Sequence, residues 1–294
     1  MKKFLIGLLV AAFVSAIGFL GYVIYDDLAN PENVGDALPV SASSGSSSSS
    51  GSSSSSRASV KINDMKPVET TSDILTALDH EKEQNTDTVG WLNIPDTKVS
   101  NSVLQTNNNA YYLNINERGE QDIFGCYFAD YTCSFGTRGD LSENTVIYGH
   151  SDVSQTTDQP EGRRFSQLFK FTDQDFASKH PLIYFSTPQE SMKWQIFAVF
   201  YTDLELDFTR ADLSGDKLVQ LANDAKARSL YNYNVEVNQD DKILTLVTCT
   251  VKFGKEKQSD VRYVVMAKLL DADETPVGIS QLEANPSPVQ PNLG

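Results

Sequence analysis

Five short runs rich in β-branched and aromatic residues dominate the chain from residue 145 onward: Thr145-Val-Ile-Tyr-Gly, Leu182-Ile-Tyr-Phe-Ser, Trp194-Gln-Ile-Phe-Ala-Val-Phe-Tyr, Lys242-Ile-Leu-Thr-Leu-Val-Thr-Cys and Arg262-Tyr-Val-Val-Met-Ala-Lys-Leu-Leu. Runs of this length and composition read as strands. Many short strands leave many unpaired edges, and a sheet closed on itself removes them. The expected fold is mainly β, a closed or nearly closed barrel, antiparallel or mixed. Three stretches carry helical spacing instead: Ser72 to Lys82, with Ile74, Leu75 and Leu78 as its stripe and Thr71 or Ser72 as its cap; one with Phe165, Leu168 and Phe169 on a face; and one with Leu218, Leu221, Ala222 and Ala225. The last two cover the barrel from outside.

The amino-terminal part lies outside any such core. Residues 4–25 form an uncharged, largely apolar run, long enough to span a bilayer as helix. Lys2 and Lys3 precede it and Asp26 and Asp27 follow it, which orients it amino terminus in, carboxy terminus out. A cleaved signal peptide ending at Val14-Ser15-Ala16 is the competing reading, but the run continues well past Ala16. Residues 41–56 are nearly all Ser and Gly, with nothing to bury, and form a stalk that spans about 20–25 Å as a coil. The expected organisation is a membrane anchor at 1–27, a flexible stalk at 28–70, one folded domain at 71–270 and a frayed, Pro-rich tail at 271–294.

The formal charge of −15 excludes a nucleic-acid binder, which needs clustered cations to displace counterions. Three cysteines cannot all pair, so an exported chain keeps at least one free thiol. Cys126 and Cys133 either bridge each other or stand as two buried thiols. Nucleophilic thiol chemistry needs a thiolate, a proton carrier and a nearby cation. Cys249 ends one strand and Arg262 opens the next after a loop, so a symmetric hairpin sets them opposite each other with Cβ atoms about 5 Å apart. His150 ends another strand, with Tyr148 on its face. Asp152 is a candidate to orient the imidazole, whereas His80 and His180 read as structural or solvent-facing. Taken singly, a Cys in an apolar strand is an inert core residue and a Gly-His pair an ordinary turn.

Together and in order, Tyr148-Gly-His150, Thr245-Leu-Val-Thr-Cys249 and Arg262-Tyr-Val-Val resemble the class B sortases. Val89-Gly-Trp-Leu-Asn-Ile-Pro95 and Asn109-Ala-Tyr-Tyr-Leu113 resemble the start of the sortase barrel, so the resemblance spans roughly residues 70 to 270. It implies a closed barrel of about eight strands, an amino-terminal helix, and a helix near 214 to 229 inserted before the cysteine strand. It implies a cysteine transpeptidase without cofactor or metal, on the outer face of the cell membrane of a Gram-positive-type cell. Cys249 would attack a Thr carbonyl in the sorting signal of a secreted surface protein. His150 would protonate the leaving amine, and Arg262 would hold the oxyanion or the substrate backbone. A peptidoglycan precursor, or a Lys of a pilin, would resolve the thioester. Asn109, Leu113 and Tyr148 would line the peptide groove.

Some class B members carry an acidic residue directly after the nucleophile; Thr250 stands there, which excludes a triad through that position. With ordinary pKa values about three per cent of thiols and a quarter of imidazoles are charged at pH 7, so the doubly charged pair is rare. A tether to the membrane of its substrate would offset that by raising effective concentration. Among other enzymes, L,D-transpeptidases need a Ser-x-Gly-Cys context that is missing, papain-like proteases put Cys before His, and paired metal-ligand spacing is lacking. The rival from another class is a non-catalytic, stalked surface-binding module in which Cys249 is merely packed.

Overall fold

In the computed structural model the chain is described over residues 67–277 and 282–294. The expected anchor and most of the stalk lie outside these residues, and among the described residues no helix is long and apolar enough to cross a membrane. Helix α1 (Pro67–Gln84) starts upstream of the expected Thr71 or Ser72 cap, at a proline, whose missing N–H costs nothing in a first turn. Ile74 and Leu78 of its stripe are buried in a small cluster with Trp91, while Leu75 is only half-buried.

The strands are β1 (Thr88–Asn93), β2 (Ser100–Leu104), β3 (Tyr127–Ala129), β4 (Asn144–Tyr148), β5 (Leu182–Ser186), β6 (Lys193–Asp203), β7 (Tyr231–Asn232), β8 (Ile243–Cys249), β9 (Val261–Leu269) and β10 (Glu283–Ala284). Eight of them close into a barrel in the order β1-β2-β3-β4-β8-β9-β6-β5, with β5 returning to β1. Two neighbours run parallel, β2 with β3 and β4 with β8; the rest are antiparallel. The core inside this sheet includes Leu92, Phe185, Trp194, Phe197 and Val264, each at most 1% exposed.

Helix α2 (Gln174–Lys179) is short and capped by Asp173, whose side chain accepts from the Phe176 N–H. Ahead of it, the segment with Phe165, Leu168 and Phe169 is a 3-10 stretch, Arg164–Thr172, and all three rings or branches are buried. Helix α3 (Asp216–Arg228) lies between β6 and β7 and buries Leu218, Leu221, Ala222 and Ala225, the expected stripe, against β6.

The carboxy-terminal segment departs from expectation. Residues 282–294 do not fray: β10 pairs with β7, Leu282 is buried, Val289 N–H donates to Ala227 O at 3.0 Å, and the Lys257 ammonium donates to Leu293 O. A Pro-rich segment can serve as an edge strand because only the inward N–H groups need partners. This contact lies far from local periodicity, so composition alone pointed the other way.

Candidate active site

The site is assembled by register. Every residue of β4 pairs in parallel with the residue 99 positions later, from Asn144 with Ile243 to Tyr148 with Val247. Beyond the last pair the two strands stay stitched: Gly149 N–H donates to Val247 O at 3.2 Å, Thr248 Oγ1 to Gly149 O at 2.8 Å, and Ser151 Oγ to Cys249 O at 2.6 Å. Continuing the same offset places His150 level with Cys249. On the other side β8 and β9 form the expected hairpin, pairing Ile243 with Lys268 through to Cys249 with Arg262. Cys249 and Arg262 are therefore paired across β8 and β9, and His150, two residues past the end of β4, comes beside Cys249 on the other side of β8, with neighbouring strands about 4.8 Å apart. All three are half-buried.

The His150 Nε2 atom lies 2.8 Å from Leu113 O. Burial holds the imidazole below its ordinary pKa, the Leu113 carbonyl opposes that shift, and the Arg164 charge adds to it. Arg262 Nη1 donates to the carbonyls of Gln258, Ser259 and Val261 at 3.0, 3.1 and 2.9 Å. The guanidinium is thus moored to its own loop rather than bonded to Cys249. Its Nε and Nη2 make no hydrogen bond among the described residues.

The expected groove residues divide into two groups. Asn109 Nδ2 and Tyr148 OH both donate to Asp130 Oδ2, at 2.7 and 2.9 Å, while Thr132 N–H and Oγ1 bind Oδ1. Burial works against the Asp130 charge, yet these four donors win and hold its pKa below the ordinary value. Leu113 sits apart at the His150 contact and is 37% exposed. Asp152 does not reach the imidazole; its Oδ1 accepts from Ser154 N–H and Oγ. His180 is structural, stacked on Phe176 and bonded to Asp96, and His80 is exposed. Cys126 and Cys133 are free and buried rather than bridged.

Sequence reasoning missed Asp130, Asp158, Glu117 and Arg164. Asp158 accepts from Thr250 Oγ1, from Val251 N–H at 2.9 Å and from Tyr201 OH at 3.2 Å, so it fixes the chain just past Cys249. Glu117 and Arg164 form a buried pair beside His150. All four lie outside the barrel strands, and no spacing rule links residues brought together only by the closed barrel.

The sortase domain family model matches residues 92–270, more than half of the chain. Sortase B of Listeria monocytogenes is 34% identical over 191 residues, covering 63% of this chain and 71% of that protein. The structure of a Staphylococcus aureus sortase B–substrate complex superposes with a TM-score of 0.60 at 25% identity, covering 72% of this chain and 93% of that one. A sortase B complexed with triglycine gives a TM-score of 0.59 at 25% identity and covers 69% and 91%. These matches set aside the non-catalytic binding module. With the family model over most of the barrel and a relative above 30% identity, the chain belongs to the sortases, in class B, and is a cysteine transpeptidase.

Proposed function

We propose that Cys249 is the nucleophile of this transpeptidase, His150 its proton carrier and Arg262 the donor for the developing oxyanion or the substrate backbone. What supports the reading is the pairing of Cys249 with Arg262 on β8 and β9, and the hydrogen bonds from Gly149 and Ser151 to β8 that set His150, just past β4, beside Cys249. The Cys249 thiolate attacks the carbonyl of Thr in a carboxy-terminal sorting motif, an S–C bond forms, the peptide C–N bond breaks, and the departing amine takes a proton from His150. A carbonyl oxygen only accepts, so Nε2 keeps its hydrogen on Leu113 O, and Nδ1 is the nitrogen that gives and regains the proton. The unengaged Nε and Nη2 of Arg262 supply the oxyanion donors. An amine of peptidoglycan precursor, or a pilin Lys, then attacks the thioester, a C–N bond forms as the S–C bond breaks, the amine's proton goes to His150 and Cys249 leaves as the thiolate.

The substrate and triglycine complexes of the relatives support a peptide donor and an amine acceptor. Asn109 and Tyr148, joined through Asp130, and the exposed Leu113 form the peptide groove. The motif is of the Asn-Pro-x-Thr type usual for the class. Residues 1–27 anchor the enzyme in the cell membrane with residues 71–270 outside, and residues 28–70 tether it there. A protonated imidazole is a minority species at pH 7, since His150 sits below its ordinary pKa. The tether compensates by confining enzyme and membrane-bound substrate together.

The direct test incubates residues 60–294 with quenched peptides bearing Asn-Pro-x-Thr and Leu-Pro-x-Thr motifs, beside a Cys249→Ala control. Cleavage after Thr with a mass adduct on Cys249, absent in the control, is the expected result. A folded domain with a titratable thiol that forms no adduct with any peptide would sink the assignment.

A further inference from the structure

His150 meets Leu113 O although the two lie on different loops, so something must fix the distance between those loops. On the His150 side, the Phe165 N–H donates to His150 O at 2.8 Å. The Phe165 ring also lies against Gly149, where an added Cβ would come within 2.8 Å of it. On the Leu113 side, the loop packs on Gly125, whose added Cβ would stand 2.9 Å from Leu113 O. Gly125 itself has φ +50°, a left-handed conformation that glycine adopts freely.

Arg164 joins the two sides. Its backbone immediately precedes Phe165, and its guanidinium donates to Gly125 O and to both carboxylate oxygens of Glu117, with Nη2 at 3.0 Å from Oε2. The guanidinium carbon lies 5.5 Å from the centre of the Tyr127 ring. Glu117 is tied in turn to β2 by Asn101 Nδ2 at 2.9 Å, and the next residue, Arg118, forks onto Glu81 of α1 at 3.0 Å. The Arg164 and Glu117 side chains are only 15% and 10% exposed, so the pair works in a medium of low dielectric. Arg164 also has φ +50°, and only one other non-glycine among the described residues, Asp96, has a positive φ. A strained backbone persists only where its surroundings over-determine it, and such positions gather at functional sites.

We propose that Arg164 is the positioning residue of the active site: through Gly125 and Glu117 it holds the Leu113 carbonyl against His150 Nε2 and so selects the tautomer in which Nδ1 is free to exchange the proton. The forked guanidinium is suited to this because it spans a carboxylate and a carbonyl at fixed angles, which an ammonium on a flexible stem cannot. The inference rests on the reading of His150 as proton carrier. Its effect is expected mainly in turnover, because Arg164 makes no bond to Asn109 or Tyr148 and acts on the third groove residue, Leu113, only through Gly125 and Glu117.

The full chain contains three histidines, so selective 15N-histidine labelling of the detergent-solubilised protein resolves His150 against His80 and His180. The native protein is expected to show a single Nε2–H tautomer of neutral His150. In Arg164→Met a mixture of tautomers is expected, with kcat for peptide cleavage down about tenfold or more and KM within about twofold. Arg164→Lys, which keeps the charge without the fork, decides the matter by the same two readouts where the Met variant does not fold. A single Nε2–H tautomer retained in a folded variant overturns the proposal, whether or not turnover falls. A tautomer mixture with unchanged kcat removes His150 as the proton carrier, and with it the catalytic meaning of Arg164.

Discussion

The three thiols of the chain differ in surroundings. Cys133 Sγ accepts the Val146 N–H at 3.4 Å, and burial pushes its pKa up to about 11; Cys126, fully buried, is pushed well above the ordinary value. A methanethiosulfonate reagent acts on thiolates that it can reach. Intact-mass analysis at pH 7 is therefore expected to show one adduct, on Cys249, in the native protein and three after unfolding; two adducts on the native protein would contradict the burial described. Arg262→Ala is expected to lower kcat about 10²-fold, the usual loss when an oxyanion donor goes, and wild-type turnover would remove Arg262 from the mechanism. Asp130→Ala strands the Tyr148 hydroxyl and the Asn109 amide without their acceptor, an expected loss of about 2–3 kcal/mol in denaturant unfolding at pH 7. The Asp130 pKa is depressed in the fold, so as pH falls below about 4 the unfolded chain takes up the proton first and the native stabilisation disappears. The gap between wild type and variant should then narrow, and a gap as wide at acid pH as at pH 7 would count against this account.

At the scale of elements, strand chemistry was legible wherever period and length were unambiguous. The β8–β9 hairpin follows from alternation alone, down to the pairing of Cys249 with Arg262, and the α3 stripe follows from helical spacing. The surroundings of His150 were not legible, because Leu113, Glu117 and Arg164 come from segments between the strands whose approach depends on sheet closure. The carboxy-terminal strap was misread for a related reason: its ordering comes from β7, the end of α3 and the β8–β9 loop, none of them neighbours in sequence. Leu282→Ala tests that strap. Removing a buried Leu at such a junction is expected to cost about 2–3 kcal/mol and several degrees in Tm by calorimetry. No change in Tm would return residues 282–294 to the status of a loose tail.

For the whole molecule, the closed order of strands decides when the chemistry exists. His150 and Cys249 are brought alongside each other only through the parallel β4–β8 pair, whose partners are 99 residues apart, and contacts of such separation wait until the intervening loop has been closed. Local hairpins such as β8–β9 can form early and present the Cys249 thiol beside Arg262 without His150. In stopped-flow refolding, peptide cleavage is expected to return with the slowest barrel signal, and activity regained ahead of it would refute this order. A newly made chain is thus catalytically silent until its long-range strand pairing closes, so ripening of the fold acts as its own safety catch against premature acylation of neighbouring proteins.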